Sequence, residues 1–319
     1  MEEINELKKL FIKDFNKLKE WTKNINKNST RDNVNNTEIN VFADSFRVLE
    51  NMEVTVKNNK KNIKQVAYVN GNVYSLSINL NKWAKHTTVN QIIECTKIFW
   101  YCYPKMYERF AIANTPRDVK FIVQNEGYEV AYAAGDSVYI HDQWLERNQH
   151  DFDCLTHEFS HVIQNGWSDE YVPTYGNDTY MIERFADYCR FVYAFNMGYY
   201  NNREWELQTK YGEDSYVSSV RFWVWLDYNY STKNIDIMKR IFQAIGYEYD
   251  WARTKDWRNG GKAWKNVFKG TAIANKTLGQ LWEMYASSDF SILSSKTDIF
   301  GAQSPLEIKY NVRNIIRGR

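Results

Sequence analysis

Cysteine, histidine and net charge are all scarce in this 319-residue chain, and each scarcity removes a class of explanation. Its four cysteines, Cys95, Cys102, Cys154 and Cys189, never fall in a CxxC pair, so a separate cysteine-based zinc cluster is not expected. A formal net charge of +2 is too small to hold a polyanion, which argues against nucleic acid or an anionic membrane surface as partner. No run of 18 apolar residues occurs, and no membrane-spanning helix is expected. Residues 1–22 lack the uninterrupted apolar core and small-residue cleavage site of a signal peptide. They place Ile4, Leu7, Leu10, Phe11, Phe15, Leu18 and Trp21 at helical spacing instead. That is an amphipathic helix, expected to dock on its own domain because acidic residues share its polar face. No internal repeat is present.

Apolar and aromatic residues are plentiful. At 44% hydrophobic the chain can bury a substantial core, as one two-lobed domain or two small ones. Aromatics make up 16%, with 12 Trp and 23 Tyr, and their faces suit a core as well as a groove for peptide or sugar. Composition does not choose between these uses.

With only five histidines, the placement of two of them carries information. Residues 156–161 read Thr-His-Glu-Phe-Ser-His, an HExxH motif within a segment made apolar by Phe152, Leu155, Phe159, Val162 and Ile163. Four residues make slightly more than one helical turn, so His157 and His161 share a face and can present imidazole nitrogens to one Zn²⁺. Glu158 lies beside them, placed to take a proton from a water acidified by the metal.

Two histidines do not hold a catalytic zinc, so a third protein ligand is required, with one position left open. A third ligand six residues after His161 is absent, because Gln164 and Trp167 occupy that stretch. The better candidate is in Tyr180-Met-Ile-Glu-Arg-Phe-Ala-Asp-Tyr188, where Met181, Ile182, Phe185, Ala186 and Cys189 give a helical apolar face. Glu183 and Asp187, four residues apart, then fall on one side of that helix. Glu183 is the expected metal ligand, and Asp187 the expected acceptor for the outer N–H of a ligand histidine. Cys154 and Cys189 lie on these two helices, open to a disulfide but more in keeping with free buried thiols.

His157 to Gln164 followed by Glu183 to Tyr188 resembles the glutamate-type zincin metallopeptidases, and most of all the basic secretory protein peptidases of plants and bacteria. Val130-Ala-Tyr-Ala-Ala-Gly135, Arg221-Phe222 after Tyr216, and Lys276 to Trp282 follow in the order of that family's landmarks, so the resemblance covers about residues 90 to 290. Arg184 departs from it, standing where the family has glycine. The resemblance implies an α+β, zincin-like fold: a small twisted mixed sheet and the HExxH helix in one lobe, a mostly helical second lobe, and a cleft between. It implies one zinc, an exported enzyme although this chain starts without a signal, and Tyr216 as oxyanion donor, with Tyr175 as rival. It also implies that Val130, Ala131, Tyr132, Ala133 and Ala134 form an edge strand that pairs with an extended substrate. An ordinary interior strand is the alternative for that segment.

In chain order, residues 1–40 read as the amphipathic helix and an Asn-rich linker, and 41–166 as the strand-bearing lobe. Residues 167–290 read as a helical lobe and 291–319 as a tail without assigned function. Asn70-Gly71-Asn72 marks a hairpin between Gln65–Val69 and Val73–Ile78. Ile92, Ile93, Thr96, Phe99, Trp100, Tyr103 and Tyr107 fit a long helix over 89–110, with Pro104 as a possible kink. Strands are expected at 119–123, 128–134 and 137–141, then helices at 181–197, 215–228, 234–245 and 276–286. His141 and His150 are expected to be core or surface residues.

The expected activity is zinc-dependent peptide hydrolysis, with His157, His161 and Glu183 on the metal and Glu158 as general base. Peptide or protein is the partner, and the oligomeric state is left open. A binding module for peptide or glycan on an inherited zincin scaffold is the alternative from another class.

Overall fold

A computed structural model describes residues 47–48, 53–57, 60–69, 72–79, 89–125, 130–148, 152, 154–165, 179–193, 220–232, 234–241 and 267–288. They form an α+β fold with a mixed sheet. In chain order its elements are β1 (Arg47–Val48), β2 (Glu53–Lys57), β3 (Lys60–Val69), β4 (Asn72–Asn79), α1 (Val89–Phe110), β5 (Asp118–Gln124), β6 (Ala131–Ala134) and β7 (Ser137–His141). They continue with α2 (Asp142–Arg147), α3 (Cys154–Asn165), α4 (Thr179–Tyr193), α5 (Val220–Tyr230) and α6 (Leu278–Ala286). The N-terminal helix and linker, the 168–178 connection, Tyr175, Tyr216, His150 and the tail after 288 lie outside the described residues.

By internal contacts the chain divides into two units, Met1–Pro104 with Pro116–Val162, and Lys105–Thr115 with Ile163–Arg319. The first carries the sheet. Its strand order is β1-β3-β4-β5-β7-β6, with β2 also paired to β3. Register pairs Val69 with Asn72, so β3 and β4 form the hairpin that the sequence marks around Asn70-Gly71. β4 and β5 are parallel, and a parallel pair needs a long crossover, which the 22-residue α1 supplies.

Alternation along the strands builds one continuous apolar face. Leu76 is opposite Val119, Ile78 opposite Phe121, Phe121 opposite Val138 and Val123 opposite Ile140. All are fully or almost fully buried. Tyr74 on this face meets Tyr103 of α1 edge-on at 6.5 Å, and Phe99 stacks on Tyr103 at 5.0 Å. Trp100 donates its indole N–H to Gln65 Oε1 at 2.6 Å, so a buried polar pair sits in this core with a bond between its members. The helix runs through Pro104 to Phe110.

Among the described residues β6 is the last strand in the sheet order, paired to β7. The two are joined by Gly135 and Asp136, and Gly135 adopts φ 59, a conformation that costs residues with a Cβ. Asp136 closes this corner, accepting from Lys120 Nζ and Ser137 Oγ at 2.8 Å each. Burial alone would raise its pKa, but these bonds and the charge of Lys120 hold it below the ordinary carboxylate range.

The second unit is built on helices. On α5, Phe222 stacks on Trp225 and meets Trp282 and Tyr285 of α6 at 5.3 and 5.6 Å. α6 starts in a capping box: Thr277 Oγ1 accepts from the Gln280 backbone N–H, and Gln280 Oε1 accepts from that of Thr277. No helix among the described residues is long and apolar enough to cross a membrane. All four cysteines are buried thiols, with no disulfide among them.

Candidate metal centre

The local sequence of α3 explains how it presents its polar groups. Leu155, Phe159, Val162 and Ile163 are fully buried, and Phe159 lies 5.2 Å from Phe99 and 6.3 Å from Tyr103, both edge-on. Thr156 and Ser160 are equally buried yet bonded, Thr156 Oγ1 lying 3.5 Å from Cys102 Sγ and Ser160 Oγ donating to the His157 carbonyl at 2.6 Å. With that face anchored, the half-buried His157, Glu158 and His161 occupy the remaining arc. Full burial of Phe159 contributes roughly 1.5–3 kcal/mol, so the helix is held by its core side independently of anything bound to its polar side.

The Nε2 atoms of His157 and His161 are 3.0 Å apart. Zn–N bonds of about 2.0–2.1 Å at a tetrahedral angle hold two nitrogens about 3.3 Å apart, so the imidazoles are already spaced as two ligands of one ion. α4 meets the end of α3 through Gln164, one helical turn past His161, whose Nε2 donates to the Ile182 carbonyl at 3.2 Å. The next residue is Glu183. One ligand atom from each of His157, His161 and Glu183 lies within 4.8 Å of the others, and no other such group of three occurs among the described residues. Two imidazole nitrogens and a carboxylate oxygen are a donor set that a zinc ion accepts.

The remaining expected site residues fall as follows. Asp187 is buried, and its Oδ2 accepts from Arg184 Nη1 at 2.6 Å, so the cation that departs from the family pattern is matched by a carboxylate one turn along the same helix. Ala131 to Ala134 are β6, with Val130 immediately before it. The His141 N–H donates to the Val130 carbonyl at 3.0 Å, which fixes the phase of the ladder. In an antiparallel pair the bonded residues alternate, so Val130, Tyr132 and Ala134 bond inward to β7 while Ala131 and Ala133 turn their N–H and C=O away from it, to an edge with no further strand among the described residues. Tyr132 stacks on Tyr139 at 4.5 Å and 8°. His141 is a core histidine with a capping role, its Nδ1 accepting from the Gln143 N–H at the start of α2.

Gln164 and Arg109 were not singled out by the sequence for any role at the site. Arg109, in the last turn of α1, is bonded in several directions. Its Nη2 donates to both oxygens of Asp227 at 2.8 and 2.9 Å, and its Nε and Nη2 to Asp236 at 2.7 and 2.9 Å. Its Nη1 donates to the phenol oxygens of Tyr188 at 2.9 Å and Tyr193 at 3.3 Å, both on α4. Tyr188 in turn donates to Asp227 Oδ2, and Ser231 Oγ donates to Asp227 Oδ1 at 2.6 Å. Burial works against the guanidinium charge, but Asp227 and then Asp236 outweigh it and hold Arg109 ionised well above its ordinary range. Burial above all, with the charge of Asp227 adding and Arg109 opposing, raises the Tyr188 phenol well above its ordinary value.

Comparison with protein-family models, curated proteins and solved structures finds no match to this chain.

Proposed function

We propose that the protein is a zinc metallopeptidase of the glutamate-type zincin class, the family its motif residues resemble. The observation that carries this reading is the convergence of His157, His161 and Glu183 on one point, with Glu158 on the same helix. His157 and His161 would bind the metal through Nε2 and Glu183 through a carboxylate oxygen. A zinc ion held there supplies Lewis acidity toward water and toward a peptide carbonyl. Glu158 takes the proton of the attacking water on a carboxylate oxygen and returns it to the leaving amine. The position of β6 at the end of the sheet supports the substrate role, since the N–H and C=O groups of Ala131 and Ala133 point away from β7, the side on which an extended peptide would add as a strand. The Arg184–Asp187 ion pair supports an active site over an impaired one, because the guanidinium charge is matched within α4. Asp187 remains in this proposal an acceptor for a ligand histidine N–H.

Glu158→Gln tests the reading. It removes the base and leaves the ligands, so bound zinc should stay at the parent level while cleavage of a mixed peptide library falls about 10²- to 10⁴-fold, the usual worth of a general base. Cleavage at the parent rate would remove Glu158 from the chemistry and the peptidase reading with it.

A further inference from the structure

Glu183 is only as well placed as α4, and the geometry indicates what holds α4. Tyr188 and Tyr193 are five residues apart, about 7.5 Å along the axis. Both accept from one nitrogen of Arg109. That guanidinium is itself immobilised by Asp227 on α5 and by Asp236 at the start of the 237–241 helical turn. Two attachments at different heights to one fixed cation oppose both rotation and sliding of the helix. Phe110, the residue after Arg109, adds an edge-on contact with Phe185 at 5.2 Å, two residues from Glu183. At the other end Gln164 holds the Ile182 carbonyl. A slip of one residue moves a side chain by about 1.5 Å along the axis and about 100° around it, enough to remove Glu183 from the two histidines.

We infer that Arg109, acting through the phenols of Tyr188 and Tyr193, is the positioning group for Glu183. The inference rests on Glu183 being a ligand of the proposed metal centre. Arg109 touches no reacting atom in this scheme. Its part is to hold the third ligand at the distance the ion requires, much as outer partners of ligand residues govern metal affinity elsewhere.

Tyr188→Phe is the informative variant, because it keeps the ring and removes only the hydroxyl with its bonds to Arg109 and Asp227; Tyr188→Phe with Tyr193→Phe removes both phenol links to Arg109. Co²⁺ is the probe. Its dissociation constant, by chelator competition, and its visible absorption spectrum report on the ligand set, while urea unfolding of the metal-free protein reports on the fold. The inference predicts that Tyr188→Phe remains folded, binds Co²⁺ about ten-fold more weakly and shows a changed visible band, with a larger loss in the double variant. If both variants bind Co²⁺ as the parent does, with the same spectrum and only a lowered urea midpoint, the cluster is structural and the inference is overturned. A parent that binds no Co²⁺, or a Glu183→Gln variant that binds it as tightly as the parent, instead overturns the metal-centre reading, and the inference falls with it.

Discussion

Arg109→Met replaces a buried cation by an uncharged side chain of similar length. In the parent, one guanidinium faces two carboxylates, Asp227 with a fully buried side chain and Asp236 at 16% exposure. Without it those two carboxylates lose the guanidinium that both contact. The phenol oxygens of Tyr188 and Tyr193 also lose their shared donor. Removing one partner of a buried ion pair costs about 3–5 kcal/mol, mostly from the charge left uncompensated. Set against a total stability of about 5–15 kcal/mol, that is at least about a fifth of the whole. Arg109→Met with Asp227→Asn should cost clearly less than the sum of the single changes, because each removes part of the other's penalty. Urea unfolding of the metal-free proteins at neutral pH measures all four corners of this cycle. A loss below about 1 kcal/mol for Arg109→Met, or simple additivity in the double variant, would refute the reasoning.

Two further outcomes are expected. Gly135→Ala should destabilise by about 1–2 kcal/mol through backbone strain alone, since a Cβ there meets nothing within 4 Å while φ stays at 59; an unchanged thermal midpoint would contradict the cost assigned to that turn. The raised Tyr188 phenol means that the folded chain keeps this proton longer than the unfolded chain does. Its contribution is therefore fully present below about pH 10 and is lost as pH rises from there toward the folded value. Urea midpoints taken from pH 8 to pH 11 should fall more steeply for the parent than for Tyr188→Phe, and parallel curves would contradict this.

Local patterns reached much of the fold. The apolar spacing from Ile92 to Tyr107 marked α1 because a crossover helix buried along most of its surface must repeat its core residues at that interval. Asn70-Gly71 marked the β3–β4 hairpin, since few other pairs suit a two-residue loop. HExxH and the later Glu-Arg-Phe-Ala-Asp contain the three residues whose side-chain donor atoms lie within 4.8 Å of one another, because side-chain spacing on a helix is written in the chain itself. Thr277-Leu-Gly-Gln280 carried a capping box that places the start of α6 at Leu278, two residues after the start expected from periodicity.

What stayed hidden depends on residues far apart in sequence. Arg109 is separated from Asp227 and Asp236 by 118 and 127 positions, and each of the three reads locally as an ordinary polar residue near a helix end. Only burial joins them. β3 begins at Lys60, earlier than its Lys-Lys-Asn opening suggests, because pairing with β2 draws polar residues into the ladder. Gln164 has the sequence of one more polar helix residue, and its reach to Ile182 appears only once α4 is in place.

The most direct measurement is zinc binding by equilibrium dialysis of the metal-stripped parent beside Glu183→Gln. One tightly held zinc per parent chain is expected, with an affinity lower by at least about 10-fold in the variant, which keeps the histidines but loses the anionic ligand. A parent that retains no zinc, or a variant that holds it as tightly as the parent, would contradict the account.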